Sequence, residues 1–236
     1  MATVTPGSTD RRVLIFDVMG TVVDDESVGH EQATALLTGS GLAPERIASL
    51  LQTWEQRVDD AMEAVRRRRA PWQGHQRLRR DCLQQTLDDT GTTLGRDTVN
   101  ELSAMIHHLR PWPDSVEGLA TLRTAFTVVA LSNADPAELI DLSAAGGLAW
   151  HGVLSAGSAR SFKPDPAVYR MALDQVGADA GEVMMVAAHP WDLRAAAREG
   201  FATAYIGRPH AERPAPDDRF TVIAEDLRDL AKILTS

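Results

Sequence analysis

VLIFDVMGT, residues 13–21, places an aspartate directly after four apolar residues. An apolar run without polar alternation is typical of a strand that is buried on both faces of a parallel sheet. We therefore predict a strand over residues 13–18, with Asp17 near its carboxyl end and a turn at Gly20 and Thr21. Ligands collect at the carboxyl ends of the strands in open α/β sheets, so this carboxylate is placed for chemistry.

Composition narrows the class of protein. The chain has 236 residues, a formal net charge of -9 and a single cysteine, Cys82. An acidic chain is a poor general ligand for nucleic acid or anionic membranes, even with the basic run at residues 66–69. One cysteine cannot form an internal disulfide, and no apolar run is long enough for a signal peptide or a membrane span. We expect a soluble, cytoplasmic protein with no nucleic-acid or membrane partner.

The spacing of apolar residues changes along the chain. Residues 27–109 repeat apolar positions at helix spacing and contain no convincing strand, whereas short β-branched runs alternate with helices from residue 126 onward. This alternation indicates a parallel sheet covered by helices that begin near Pro136, Pro166 and Pro190. We predict an α/β fold with a Rossmann-like parallel-sheet core, residues 11–26 and 110–236, and an inserted α-helical cap domain, residues 27–109.

Four short motifs fall at the ends of predicted strands. They are FDVMGT (16–21), LSNAD (131–135), SFKPDPAVY (161–169) and VAAHPWD (186–192). Each motif alone is a weak signal, but their order at successive strand ends resembles the haloacid dehalogenase superfamily. The likeness is greatest to its type II 2-haloacid dehalogenase branch and covers nearly the whole chain. The resemblance implies a hydrolase that displaces a leaving group, a halide, from a small organic substrate through a covalent aspartyl-ester intermediate, and it allows a homodimer.

The resemblance also implies a role for each polar residue in these motifs. Asp17 corresponds to the nucleophile, Lys163 to the fixed cation beside it, and Thr21 and Asn133 to partners that position the carboxylate. Ser132 corresponds to a hydrogen-bond donor toward the substrate or the leaving group. A carboxylate is nucleophilic only when it is ionised, and a nearby lysine favours that form. Thr21, Ser132 and Asn133 also have structural alternatives, as a helix cap or as turn residues.

Position 19 separates two kinds of chemistry within the superfamily. Its phosphatases carry a second aspartate two residues after the nucleophile, and an acidic pair four residues apart at the fourth strand end. Here these places hold Met19 and Ala188, so two carboxylates of a magnesium site are missing. We therefore expect no metal and no cofactor, with Met19 as an apolar wall of the pocket. A halide leaving group needs little protonation and suits this loss, and a magnesium-dependent phosphatase is an alternative.

The implied reaction has two steps. Asp17 attacks the carbon that bears the leaving group and forms an ester, which water activated by His189 then hydrolyses, with Asp192 orienting the imidazole. Tyr169, six residues after the lysine, matches an active-site tyrosine of the dehalogenase branch. An epoxide hydrolase with the same ester chemistry stays open, with Tyr169 or Glu55 as the proton donor. A non-catalytic binding protein that kept the fold is another alternative.

One stretch departs from the dehalogenase pattern. Type II dehalogenases have an arginine directly after a tryptophan on a cap helix, whereas Trp54 is followed here by Glu55. Arg57 comes two residues later, which turns it by about 200° around a helix. A glutamate that faces the crevice would repel an anionic substrate and would suit a neutral or amine-bearing one. Trp54 is either a substrate contact or part of the packing within the cap.

Overall fold

The structure, a computed structural model, describes residues 13–236. Residues 11 and 12, which the prediction assigned to the core, lie outside the described residues. The strands are β1 (Val13–Phe16), β2 (Val23–Asp24), β3 (Arg110–Pro111), β4 (Thr127–Ser132), β5 (Gly152–Ser155), β6 (Val183–Ala187), β7 (Ala202–Ile206) and β8 (Val222–Ala224). The helices are α1 (Ser27–Gly39), α2 (Pro44–Arg66), α3 (His75–Asp89), α4 (Arg96–Ser103), α5 (Ser115–Leu122), α6 (Pro136–Gly146), α7 (Pro166–Val176), α8 (Pro190–Arg198) and α9 (Leu227–Thr235).

A six-stranded parallel sheet forms the centre of the molecule, in the order β5-β4-β1-β6-β7-β8. This arrangement confirms the predicted α/β fold with a parallel-sheet core. β1 is wholly buried and lies between β4 and β6, which explains why its four residues are all apolar. The Asp17 amide still donates to the Val186 carbonyl at 2.9 Å, so the side chain of Asp17 emerges directly at the carboxyl edge of the sheet.

Three helices begin at the prolines that the sequence singled out. α6 starts at Pro136 shortly after β4, and α8 starts at Pro190 shortly after β6. α7 starts at Pro166, after β5 and the loop that follows it. Proline favours the first turn of a helix because its missing N–H has no partner there in any case. The loops between the strand ends and these helices carry the predicted site motifs and bring them to one edge of the sheet. The strand β8 and the short antiparallel pair of β2 with β3 were not predicted.

Helices α1 to α4 form the insertion between β2 and β3. Their buried apolar residues, with Leu37, Trp54 and Leu83 among them, form a hydrophobic cluster apart from the two that cover the sheet. Phe162 of the core also packs into this cluster, so the inserted helices contact the loop that carries Lys163. The limits of the cap at residues 27–109 stay a prediction. No helix among residues 13–236 combines the length and the apolar character that crossing a bilayer requires.

Candidate active site

A buried lysine joins two buried carboxylates at the edge of the sheet. Lys163 Nζ lies 2.6 Å from Asp17 Oδ1 and 2.5 Å from Asp192 Oδ2. All three residues are almost completely enclosed, with 2 %, 4 % and 0 % exposure for Lys163, Asp17 and Asp192. Three charged groups without solvent stabilise one another only at such short range, because an isolated buried charge is costly. The contact between Asp17 and Lys163 was expected, whereas the second carboxylate on the same ammonium was not.

The charges around Asp17 keep it ionised. Burial pushes the pKa of Asp17 upward, but the charges of Lys163 and His189 outweigh burial and hold that pKa below its usual range. Burial lowers the pKa of Lys163, and the two carboxylates reverse this effect and raise it. At neutral pH the lysine is therefore a cation and Asp17 a carboxylate, which is the form that a nucleophile requires.

Thr21 and the backbone of β6 orient the Asp17 carboxylate. Thr21 Oγ1 donates to Asp17 Oδ2 at 2.6 Å and accepts from the Ala188 amide at 2.8 Å. Because the Ala188 amide donates to the hydroxyl oxygen, the hydroxyl hydrogen of Thr21 is left to point at the carboxylate. One oxygen of Asp17 is thus held by a hydroxyl and the other by an ammonium. Thr21 occupies the positioning role that the sequence suggested.

Ser132 and Asn133 contact the loop backbone and not the nucleophile. Asn133 Oδ1 accepts from the Lys163 amide at 2.7 Å, so it positions the backbone of the lysine. The expected contact of Asn133 with the Asp17 carboxylate is not formed. Ser132 Oγ accepts from the Ala134 amide at 3.2 Å. The hydroxyl hydrogen of Ser132 is therefore available to a substrate acceptor. Its role as a donor to the substrate stays a prediction.

Tyr169 supports Asp192 from behind. Its hydroxyl is completely buried and donates to Asp192 Oδ1 at 2.5 Å. Burial, and next the charge of Asp192, raise the pKa of Tyr169 far above its usual range. The phenol therefore stays protonated and keeps its hydrogen on Asp192. This placement differs from the expected contact with substrate, and it argues against Tyr169 as the acid of an epoxide hydrolase.

His189 lies next to the nucleophile on the side away from Lys163. Its Nε2 is 3.0 Å from the Met19 carbonyl oxygen and 3.6 Å from Asp17 Oδ2. Both neighbours are acceptors, so Nε2 carries a hydrogen in this arrangement. The ring stacks on Trp191 with 5.6 Å between centroids. Asp192 does not orient the imidazole, contrary to the expectation, because its two oxygens are bonded to Lys163 and Tyr169.

A second carboxylate, Asp25, lies close to His189 and was not predicted as a site residue. A Cβ atom added to Gly20 would be 2.9 Å from His189 Nε2 and 3.3 Å from Asp25 Oδ1, so both side chains border the same glycine. Burial raises the pKa of Asp25 to about 6, with the charge of His189 opposing this rise and that of Asp17 adding to it. A cavity of about 100 Å³ adjoins these groups. The acidic pair at residues 24–25 was the available signal in the sequence.

One side of α2 faces this edge of the sheet. Met62 Sδ lies 4.0 Å from Asn133 Nδ2, and Arg66 Nη1 donates to the Lys163 carbonyl at 3.4 Å. At about 100° per residue, Glu55 and Asp59 lie within about 60° of Met62 and Arg66 around the helix. These two carboxylates therefore share the side of α2 that is directed at the active site, and Glu55 is solvent-exposed there.

The other two cap residues singled out by the sequence lie elsewhere. Arg57 is on the opposite side of α2 and donates to Asp89 and Gln85 within the cap. It therefore does not take the place of a crevice arginine. Trp54 is buried, and its Nε1 donates to the Arg79 carbonyl oxygen at 2.9 Å. This contact places Trp54 in the packing of α2 against α3, which is the structural alternative that the sequence left open.

Two positions where the phosphatases carry metal-binding carboxylates hold apolar residues here. They are Met19 and Ala188, neither of which can ligate a cation through a carboxylate. The two buried carboxylates that remain, Asp17 and Asp192, share the Lys163 ammonium. Among residues 13–236, no group of three or more histidine, cysteine or acidic side chains is arranged to hold a metal ion.

Comparison with known proteins assigns the chain to a family. Residues 11–200 match the family model of haloacid dehalogenase-like hydrolases. The chain belongs to the haloacid dehalogenase-like hydrolases. This membership confirms the resemblance drawn from the four motifs.

Relatives of this hydrolase with assigned activities are 2-haloacid dehalogenases. The (S)-2-haloacid dehalogenase 1 of Pseudomonas sp. (strain CBS-3) is 30% identical over 200 residues, which are 84% of this chain and 85% of the relative. The crystal structure of an L-2-haloacid dehalogenase matches with a TM-score of 0.86 at 36% identity, over 94% of this chain and 98% of that chain. A defluorinating L-2-haloacid dehalogenase matches with a TM-score of 0.86 at 31% identity, over 95% of both chains.

Proposed function

We propose that this hydrolase displaces halide from 2-halo acids through an ester on Asp17. The observation that carries the proposal is the buried, ionised carboxylate of Asp17 with a lysine ammonium 2.6 Å away. Lys163 and Thr21 each hold one oxygen of that carboxylate, so the group is oriented before the substrate arrives. The relatives named as 2-haloacid dehalogenases support the same substrate class.

The first step forms a carbon–oxygen bond and breaks a carbon–halogen bond. A carboxylate oxygen of Asp17 attacks the carbon from the side opposite the halogen, and the bonding electron pair leaves with the halide. A halide needs no proton, so the methionine at position 19 costs this reaction nothing. The attack inverts the configuration of a chiral carbon. Ser132 is the candidate donor toward the halide or the substrate carboxylate, since its hydroxyl hydrogen is available.

The second step hydrolyses the ester at the Asp17 carboxyl carbon. Esterification removes the negative charge that faces His189 Nε2, so the imidazole tautomer with its hydrogen on Nδ1 can form and Nε2 can accept a proton from water. The water oxygen adds to the carboxyl carbon, the imidazolium returns that proton to the departing alkoxide oxygen and the alcohol leaves. The second proton of the water passes to solvent, and the water oxygen remains in the regenerated carboxylate. The cavity beside Asp25 and His189 offers room for a few water molecules and a path for the proton to solvent.

The epoxide-hydrolase alternative is not favoured. An opened epoxide leaves as an alkoxide, which needs a proton donor. Tyr169 keeps its hydrogen on Asp192, and burial raises the pKa of Tyr169 further. The relatives with assigned activities are named as 2-haloacid dehalogenases.

One turnover in H2(18)O tests the ester. With enzyme in excess over (S)-2-chloropropionate, we expect one 18O atom in the peptide that carries Asp17 and none in the first lactate formed. Asp17→Asn should release no chloride, whereas Asp60→Asn, an exposed carboxylate on α2, should release it at the normal rate. Label that appears only in lactate would show direct attack by water and overturn the proposal.

The proposed function also includes a location in the cell, a role for the inserted helices and an oligomeric state. The single cysteine supports a reducing, cytoplasmic location. The helices α1 to α4 would act as the cap over the crevice, supported by the contact of Arg66 with the Lys163 carbonyl. The family resemblance allows a homodimer, and size-exclusion chromatography with light scattering distinguishes it from a monomer.

A further inference from the structure

Arg79 is a cation near the active site that lacks a direct partner. It lies on α3 and is half-buried, and its Nε is enclosed without a hydrogen-bond partner among residues 13–236. Its helix neighbours are satisfied, because His75 contacts Glu138 and Arg77 contacts Asp81. An enclosed guanidinium nitrogen without an acceptor is unfavourable, so the position has an unmet need for a hydrogen-bond acceptor that no side chain of residues 13–236 provides.

The surroundings of Arg79 place it in the crevice between the inserted helices and the sheet. Its guanidinium lies over the Trp54 ring, 4.7 Å from the centroid. Burial lowers the pKa of Arg79, and the charges of Glu138, Glu55 and Asp25 oppose that effect. These three carboxylates come from α6, from α2 and from the loop beside His189. Arg79 also follows His75 by one helical turn, and the His75 ring contacts Glu138 of α6 and packs against Phe162 beside Lys163. This face of α3 therefore lies where the inserted helices meet the carboxyl edge of the sheet.

The other cations at this edge are already committed. Lys163 is bonded to Asp17 and Asp192, and Arg208 forms a paired contact with Asp114. Arg66 is paired with Glu63 and donates to the Lys163 carbonyl. None of these three has capacity for a new carboxylate without breaking a pair. Arg79, in contrast, forms no ion pair or side-chain hydrogen bond within residues 13–236, so its guanidinium is available to the carboxylate of a 2-halo acid.

We propose that Arg79 binds the substrate carboxylate and that this residue selects monoanionic 2-halo acids. The proposal rests on the proposed dehalogenase function. A guanidinium matches a carboxylate with two parallel hydrogen bonds, and stacking on Trp54 fixes the plane of the fork. Glu55 and Asp59 on the adjoining side of α2 repel a second negative charge, so a halogenated dicarboxylate is disfavoured.

Arg79→Met tests the assignment with three ligands. For (S)-2-chloropropionate we expect kcat/KM to fall about 100-fold, the loss expected for a two-bond charged contact. The inhibition constant of propionate, an unreactive carboxylate, should rise by a similar factor. Turnover or binding of the neutral 2-chloropropionamide should change less than about 3-fold. Arg80→Met, the exposed neighbour on α3, is the control and should change none of these values.

A second variant keeps the proposal testable if Arg79→Met does not fold. Arg79→Lys keeps the charge but not the fork, so the inhibition constant of propionate should rise about 10-fold while the amide is unaffected. If either Arg79 variant that folds binds propionate as the wild type does, the proposal is overturned. Absence of halide release from wild-type enzyme would instead defeat the proposed function, and propionate binding would still report on Arg79. Glu55→Gln should improve turnover of chlorosuccinate, a halogenated dicarboxylate. No improvement would refute the proposed selectivity for monoanions.

Discussion

Replacing Lys163 by methionine leaves the carboxylates of Asp17 and Asp192 buried without their shared cation. The lysine Nζ is 2.6 Å from one and 2.5 Å from the other. With an effective dielectric constant of about 20, each contact supplies about 6 kcal/mol of Coulomb attraction before desolvation is subtracted. Removing one partner of a buried pair costs about 3–5 kcal/mol net, because the remaining charge is uncompensated. We expect Lys163→Met to lower the free energy of unfolding by that amount near pH 8.

The size of this loss depends on pH. In the wild type, burial raises the pKa of Asp17 but Lys163 and His189 hold it below its usual value of 3.8. A carboxyl with a depressed pKa adds stability above its unfolded pKa, and this contribution is lost as the pH falls through the folded pKa. Without Lys163, burial dominates and the carboxyls of Asp17 and Asp192 bind protons readily. The penalty of the variant should therefore be largest at high pH and shrink toward pH 4.

Urea unfolding at about pH 8 and pH 4.5, with chloride release at pH 8, measures both effects. Lys232→Met is the matched control, because Lys232 is the exposed lysine of α9. We expect the control to match the wild type and Lys163→Met to release no measurable chloride. A stability loss below about 1 kcal/mol at pH 8, the size typical of an exposed pair, would refute the electrostatic role of Lys163.

Three further variants test other parts of the site. The pKa of Asp25 is raised to about 6, so the ionisation of this carboxyl lowers the free energy of unfolding as the pH rises through 6. In urea unfolding near pH 8, Asp25→Asn should be more stable than the wild type by at most about 3 kcal/mol. Near pH 4 the two proteins should be equally stable. Tyr169→Phe removes a buried donor and should cost about 1–3 kcal/mol in urea unfolding and lower kcat more than it changes KM. Gly20→Ala places a Cβ 2.9 Å from His189 Nε2 and should let the ester accumulate in mass spectra, whereas Gly41→Ala has a similar positive φ and open space, and should not. If Asp25→Asn is as stable as the wild type at both pH values, the raised pKa of Asp25 is contradicted. An unchanged kcat for Tyr169→Phe would contradict the role of its hydrogen bond to Asp192. Equal ester levels in the two glycine variants would contradict the close approach of Gly20 to His189.

Local chemistry explains why much of the fold was predictable. The run VLIF before Asp17 is apolar at every position, which only a strand buried on both faces requires. Prolines at the starts of α6, α7 and α8 mark helix beginnings through their own geometry. β8 was missed because it has three residues, of which Ile223 is exposed, so it lacks both length and a buried pattern.

The partners of the site residues were less predictable than their positions. His189 and Asp192 are three residues apart, and that spacing suggested a pair. His189 precedes α8, and its ring points to Met19, whereas Asp192 in the first turn points inward to Lys163. Spacing along a chain gives the direction of a side chain only within one helix or one strand. A residue at the cap of a helix is outside that rule.

The sequence by itself determined the parallel sheet, the place of Asp17 at its edge and the set of motifs that meet there, because strand burial and helix starts are written in neighbouring residues. Only the tertiary structure decided that one ammonium serves two carboxylates, that Asp25 borders His189, and that the Arg79 side chain finds no hydrogen-bond partner within residues 13–236. Each of these contacts joins elements far apart in the chain. Their distances depend on how whole helices pack on the sheet, which no local pattern of residues encodes.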